Sequence, residues 1–377
     1  MTDPALLVEA ADRFGTPLYV TDIDLAAARA GDWRDAFAGA LVAYAVKANP
    51  DPALLRRLAA EGLGAEVVGP IELALALRAG VDPRRIVVNG VGQTDADLTA
   101  ALASGALVNA ESLGALEALL RSGTGRIGIR VNPAIAADTH PHLATGAAGS
   151  KFGIALDELP EARRALESAG RRLESIGAHI GSDIADPAPF ARLAELLATL
   201  ASDFGTERID LGGGFAGDPG ALATAVRPYL PDPARLVLEP GRGIVASAGW
   251  LLTRIVRVQR RGHLVADAGM TELIRPMLYG ARHPVSVLRP GPSVGDRPWT
   301  VAGPVCEAGD VLATDVALGG EVGEGTLLAI GDVGAYGLAM ASGYNGRLLP
   351  AQAVIESGMV RLSRRRQTLE DVVARDV

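Results

Sequence analysis

The feature that most limits what this chain can become is an alternation. Between Leu41 and Gly241, eight apolar runs of strand length are separated by segments whose apolar residues recur at helical spacing. The runs are Leu41–Ala48, Ala65–Val68, Arg85–Gly90, Ala106–Ala110, Arg126–Asn132, Ser175–Gly181, Arg208–Gly212 and Arg235–Glu239. Several of the intervening segments close with glycine, which readily takes the left-handed conformation at a helix C-terminus. The runs are nearly continuous in apolar character, as strands covered on both faces should be. Repeated units of similar length predict a closed (β/α)8 TIM barrel, with a doubly wound open sheet as the alternative.

After about Gly243 the texture changes. Runs rich in Val, Leu and Thr are separated by Gly, Pro and Asp, with little helical periodicity. They predict an antiparallel, β-barrel-like second domain. The strand-like Pro17–Thr21 precedes the barrel and fits that domain better. The expected division is therefore 24–265 for the barrel and 1–23 plus 266–377 for the β domain. The tail from Arg364 reads as a short charged helix or a frayed end.

A net charge of −8 argues against a nucleic-acid or anionic-membrane surface. The single cysteine, Cys306, rules out an internal disulfide and a cysteine-rich metal site. No apolar run reaches the length of a membrane span, and the N-terminus does not read as a secretory signal. A cytoplasmic location is the expectation.

Barrels carry their chemistry at the C-terminal ends of the strands. The first run ends in Lys47, the sixth in His179-Ile-Gly-Ser182, the seventh in Gly212-Gly213-Gly214-Phe215 and the eighth in Glu239-Pro-Gly241-Arg242. Taken alone, Lys47 reads as a lysine snorkelling out of a strand end, and the triple glycine as a tight turn. Together they mean more. Glycine lets backbone N–H groups approach an anion closely, and barrels commonly hold phosphate after strands seven and eight. A carboxylate beside phosphate makes sense if it meets a cation, such as a protonated ring nitrogen. A lysine, a phosphate cradle, a histidine able to stack on a ring and that carboxylate describe a pyridoxal phosphate site.

The ordered motifs Tyr-Ala-Val-Lys47-Ala-Asn, His179-Ile-Gly-Ser182, Gly212-Gly-Gly-Phe215, Glu239-Pro-Gly-Arg242 and Cys306-Glu307-Ala-Gly-Asp310 make the chain resemble the fold-type III, pyridoxal-phosphate-dependent amino-acid decarboxylases. Arg130-Val-Asn-Pro, the His140…Thr145-Gly146…Ser150-Lys151-Phe152-Gly153-Ile154 block, Asp267-Ala-Gly-Met270, Ile274-Arg275-Pro276…Tyr279-Gly280 and Gly334-Ala-Tyr336-Gly337 add to the likeness. It runs from about Gly15 to the C-terminus and is closest to the diaminopimelate decarboxylase branch.

The resemblance implies an alanine-racemase-like pairing of barrel and β domain, with pyridoxal 5′-phosphate linked to Lys47. His179 would stack on its ring and Glu239 would pair with the ring nitrogen. Ser182, Gly213, Gly214, Gly241 and Tyr336 would hold the phosphate. Arg242, Arg275 and Tyr279 would take a carboxylate at the far end of the substrate, and Glu307 its far amino group. Cys306 would protonate the carbon after carbon dioxide leaves. Cys306 and Glu307 would come from a neighbouring subunit, so the working unit would be a homodimer sharing its active site. The implied reaction converts meso-2,6-diaminopimelate to L-lysine.

The chain departs from the family pattern at Glu66, where an Asp is usual, at Gln93 in place of an Asn-Lys pair's lysine, and at Asp183 and Ala308. These departures bear on the substrate. The alternative is a specialised-metabolism relative acting on ornithine, lysine, glutamate or an aminoacyl group on a carrier protein. Racemisation on the same fold would not need the Cys306 motif, and a non-enzymatic vitamin-binding barrel would not need the long β domain.

Overall fold

The computed structural model describes residues 2–135, 146, 149–320 and 322–377. His140 and Thr145 lie outside them. The chain divides into two compact units, Ala27–Ile244 and Met1–Ala26 with Val245–Val377.

The first unit is built on eight parallel strands: β1 Leu41–Ala45, β2 Gly64–Val67, β3 Ile86–Val88, β4 Leu107–Ala110, β5 Arg126–Asn132, β6 Ser175–Gly177, β7 Arg208–Asp210 and β8 Leu236–Leu238. Each strand pairs with its sequence neighbour, and β8 returns to β1, so the sheet closes as the alternation predicts. A two-residue strand, Ile154–Ala155, adds to the end of β5. Inside the barrel, Leu41, Ala43, Val87, Leu107 and Val237 form one apolar cluster.

The helices between strands begin where the chain supplies caps. Asp51, fully buried, accepts the Ala53 and Leu54 N–H groups at 2.7 and 3.0 Å, and Pro52 opens the helix Pro52–Ala60. Thr94 and Asp97 form a reciprocal capping box for Asp95–Ala103. Such caps are worth about 1 kcal/mol each. They set where each helix starts, and hence the length of the preceding loop at the strand's C-terminal end.

The second unit is a nine-stranded sheet. Leu18–Asp22 lies between Gly249–Gln259, antiparallel, and Ala351–Glu356, parallel. His263–Ala266 and Trp299–Ala302 also run parallel, so the sheet is mixed, with its remaining pairings antiparallel. Both parallel pairs join strands far apart in sequence, where no tight turn dictates direction. Alternation along the strands sorts the side chains. Tyr19, Leu251, Leu328 and Ile330 enter one core, while Leu18, Val20, Leu252, Leu327 and Ala329 enter another against the helix Pro4–Phe14.

Two features differ from what the sequence suggests. The boundary anticipated at 265/266 falls at 244/245, because Gly249–Gln259 is a sheet strand pairing with three others. A helix at Ile23–Ala36 was not anticipated. Its Ala-rich sequence offers little contrast between faces.

Close packing makes one glycine a sharp test. A Cβ on Gly64 would sit 2.2 Å from the Arg85 carbonyl oxygen and 2.8 Å from Leu41 Cδ1. Gly64→Ala is therefore expected to cost about 1–3 kcal/mol, read as a lowered denaturant midpoint at constant slope. An unshifted midpoint would mean that β1, β2 and β3 are not packed this closely.

Candidate active site

Lys47 sits in a single 3-10 turn, Val46–Ala48, immediately after β1. The turn is braced from below: the Tyr44 hydroxyl donates to the Asn49 carbonyl at 3.1 Å, and the Asp51 N–H donates to Asn49 Oδ1 at 3.1 Å. The Asn-Pro-Asp sequence thus ends the strand, turns the chain and caps the next helix. Lys47 does not simply snorkel into water. Its Nζ meets Glu66 Oε2 at 2.5 Å, and the Glu66 side chain is only 1% exposed.

Glu66 is the penultimate residue of β2, and Asn89, just beyond β3, links it to Glu239, just beyond β8. Asn89 Nδ2 donates to Glu239 Oε1 at 2.7 Å and to Glu66 Oε1 at 3.2 Å. Asn109 Nδ2 donates to Asn89 Oδ1 at 2.9 Å, which fixes the amide's orientation. Beyond β4, Glu111 accepts the Gly90 N–H at 2.6 Å and Arg130 Nη1 at 3.1 Å. The Arg130 guanidinium in turn lies 4.8 Å over the Phe152 ring.

His179 follows β6, and its Nδ1 accepts the Gly213 N–H at 3.0 Å. The proton of the neutral ring is therefore on Nε2. Burial first, then the charges of Arg130 and Lys47, hold the imidazole well below its ordinary pKa. It is a neutral, flat group at physiological pH.

The triple glycine after β7 is demanded by packing as well as by any anion. Cβ atoms at Gly212, Gly213 and Gly214 would lie 2.6, 2.2 and 1.8 Å from the carbonyl oxygens of Ala178, Glu239 and Gly181. The loop is threaded between the segments that carry His179 and Glu239. Ser182 lies beside Gly214 in the same crossing. Gly241 packs where its Cβ would meet those of Ala45 and Ala48 at 3.0 Å. Arg242, largely buried, has its Nε 3.9 Å from Asp183 Oδ1, and Asp183 has a positive φ of 67°.

Lys47, Glu66, Asn89, Arg130, His179 and Glu239 line one cavity of about 470 Å³, a size suited to a small cofactor or ligand. Its electrostatics are lopsided. Burial drives the Glu239 carboxyl well above its ordinary value, and the charges of Asp210 and Glu66 push it further. Burial also pushes Asp210, hydrogen-bonded to Glu239, up to about 6. A buried carboxylate cluster of this kind is stabilised by an added cation.

Arg275, Tyr279, Cys306, Glu307 and Tyr336 belong to the second unit. Arg275 is buried at the start of the short helix Arg275–Tyr279, with its guanidinium 5.3 Å from the Tyr279 ring centroid. The buried Asp310 carboxylate accepts the Met270 and Val305 N–H groups at 2.5 and 2.7 Å. It ties the Asp267–Met270 segment to the turn that carries Cys306 and Glu307, and both of those are exposed. Gly309 packs against Met277, which sets this turn beside the Arg275 helix. Tyr336, half-buried, adopts φ 57°.

Sequence reasoning did not place Asn89, Asn109, Glu111, Arg130, Asp210 or Glu66 in the site. The signal was present, since each is a polar residue at or near the C-terminal end of a barrel strand. Gln93 was noted only as a missing lysine; its Nε2 donates to the Asn89 carbonyl at 2.7 Å and shapes that loop. Among the described residues no cluster of His, Cys, Asp and Glu is arranged to hold a metal, and no helix is long and apolar enough to cross a membrane.

Comparison with known proteins settles the family. Residues 24–246 match the model of the pyridoxal-dependent decarboxylase, pyridoxal binding domain. This chain belongs to the pyridoxal-dependent decarboxylase family. The diaminopimelate decarboxylase of Deinococcus radiodurans is 42% identical over 98% of both chains, and that of Aquifex aeolicus is 39% identical over 97% of this chain and 93% of its own. The crystal structure of diaminopimelate decarboxylase from Helicobacter pylori complexed with L-lysine superposes with a TM-score of 0.92 at 32% identity, covering 98% of each chain.

The cofactor of this decarboxylase is pyridoxal 5′-phosphate, and the donor set fits it. A protonated ring nitrogen would be a cation of the kind the Glu239 cluster calls for, and Lys47 brings an amine to the same cavity.

The pH dependence follows from the raised acids. An acid whose pKa is higher in the folded than in the unfolded chain stabilises the fold below its unfolded value and loses that contribution as pH rises through the folded one. For Asp210 that window runs from 3.8 to about 6, and Glu239 extends it upward. Cofactor-free Glu239→Gln should therefore melt higher than the cofactor-free wild type at about pH 8, with the gap closing toward about pH 5. Equal melting temperatures at both pH values would contradict the charge-crowded site.

Proposed function

We propose that this chain is a diaminopimelate decarboxylase, which removes the carboxylate from the D-centre of meso-2,6-diaminopimelate to give L-lysine and carbon dioxide. The observation that carries the reading is the near-full-length match to diaminopimelate decarboxylases, with Lys47, His179 and Glu239 lining one cavity.

When bound, pyridoxal phosphate supplies an aldehyde that captures the substrate amine and a ring that accepts the electron pair left by carbon dioxide. The chain's own residues do the rest. Lys47 Nζ is the nucleophile that links the cofactor and later releases product. The neutral His179 face supports the ring without competing for charge. Glu239 keeps the ring nitrogen protonated. Ser182, Gly214, Gly241 and the Tyr336 hydroxyl bind phosphate. Gly213 is assigned there with them, although its N–H is directed to His179 Nδ1, so its contribution is the close approach that only glycine allows.

Arg242, Arg275 and Tyr279 take the distal carboxylate. A bidentate guanidinium–carboxylate contact is the kind that selects a dicarboxylate over a simple diamine precursor. Glu307 meets the distal ammonium, and Cys306 Sγ delivers the proton to the carbon. Both are exposed on their own unit, which suits donation to a neighbouring subunit in a homodimer. Free amino acid, rather than a carrier-bound group, is the substrate, and the cytoplasm is the compartment.

Carbon dioxide release across a panel of amino acids tests this directly. Diaminopimelate should be the preferred substrate by orders of magnitude; turnover of ornithine, lysine or glutamate instead would replace the reading with that of a specialised relative. Cys306→Ala should slow turnover by about 10²–10⁴-fold while leaving cofactor absorbance intact. An unimpaired rate would remove Cys306 as the proton donor.

A further inference from the structure

The contact between Lys47 and Glu66 is not used by the roles above. Glu66 is fully buried at the end of β2, where the family pattern usually places the shorter aspartate. Its two oxygens have separate partners. Oε1 is fixed by Asn89 Nδ2 at 3.2 Å, and Oε2 faces Lys47 Nζ at 2.5 Å. Asn89 is itself fixed by Asn109 and by Glu239, so the carboxylate is aimed at the amine by a rigid scaffold on three strands. A lysine forms a bond to carbon only through an unprotonated lone pair. An amine at rest in an ion pair has to surrender a proton first, and Glu66 Oε2 stands within hydrogen-bond distance to accept it.

We propose that Glu66 is the proton acceptor that frees the Lys47 amine to link the cofactor, with Asn89 as its positioning residue. In the step, a Lys47 N–H bond breaks and the proton passes to Glu66 Oε2. The nitrogen lone pair forms the bond to the aldehyde carbon, and the carbonyl π pair moves to oxygen. That oxygen takes a second proton from the Lys47 nitrogen and the first back from Glu66, and leaves with the C–O bonding pair as water while the nitrogen lone pair closes the second carbon–nitrogen bond. Glu66 ends as a carboxylate, and no oxidant or reductant is needed. The proposal rests on the reading above only in taking Lys47 as the linking lysine.

The other charged groups facing the pair are Glu72, Asp210, Glu239, His179 and Arg130. Glu66→Gln also removes a charge that raises Glu72, Asp210 and Glu239, so its profile is read against Glu66→Asp, which keeps that charge. Cofactor-free protein is mixed with pyridoxal phosphate, and the absorbance change of covalent capture is followed by stopped flow, with Lys47→Ala as the blank. Between about pH 7 and pH 9 the wild-type rate should stay nearly flat, because the proton moves within the pair and the lysine's ordinary pKa is about 10.4. Glu66→Gln should be about a hundredfold slower near neutrality and climb about tenfold per pH unit as bulk solvent removes the proton. Glu66→Asp keeps an acid and should keep the flat profile.

Equal rates and slopes in Glu66→Gln and wild type would overturn the proposal. So would a steep slope in both the wild type and Glu66→Asp, which decides the matter even if Glu66→Gln does not fold. Capture that is absent from the wild type, or undiminished in Lys47→Ala, is a different outcome: it removes Lys47 as the linking residue and the proposal with it.

Discussion

Three carboxylates, Glu66, Asp210 and Glu239, converge under the mouth of the barrel, and one amide, that of Asn89, holds two of them together. Burying like charges at this density is unfavourable unless protons or cations compensate them. Lys47 compensates Glu66 directly. Glu239 is left with burial and the charges of Asp210 and Glu66 working against its ionisation. The site is built to be completed by something positive, and much of its local architecture follows from keeping that demand in place.

The barrel meets this demand through its closed order of strands. Glu66, Asn89 and Glu239 come from three strands and reach one cavity because each stands at or just beyond a C-terminal end, with Asp210 beside Glu239. The helix caps keep the loops short, and the glycines let them cross. Gly128 illustrates the economy of space. A Cβ there would lie 2.0 Å from Asn109 Oδ1, so the small residue leaves room for the side chain that orients Asn89. Likewise the Gly212–Gly214 loop can pass between the His179 and Glu239 segments only without side chains. Its glycine content serves packing and anion approach at once.

The closed barrel was legible because strand–helix alternation is a local signal. Lys47, His179 and Glu239 stood out because each is a polar residue next to glycine, proline or the end of an apolar run. Asn89 and Asp210 were overlooked because each reads as ordinary loop or strand-end polarity until partners from other strands are known. Glu66 could be seen as a departure but not as the partner of Lys47, since the pairing joins two strand ends across the ladder. The parallel pairing of Leu18–Asp22 with Ala351–Glu356 was hidden for the same reason. Nothing local records that opposite ends of the chain meet.

The central claim is that the Glu239 cluster holds a cation in the form of the cofactor's ring nitrogen. The most direct measurement is the ¹⁵N chemical shift of that nitrogen in isotopically labelled cofactor bound to the protein, followed from mildly acidic to mildly alkaline pH. A protonated-pyridine shift throughout, lost in Glu239→Gln, is the predicted result. A neutral-pyridine shift in the wild type would mean that the proton stays on the carboxylates, and would contradict the account.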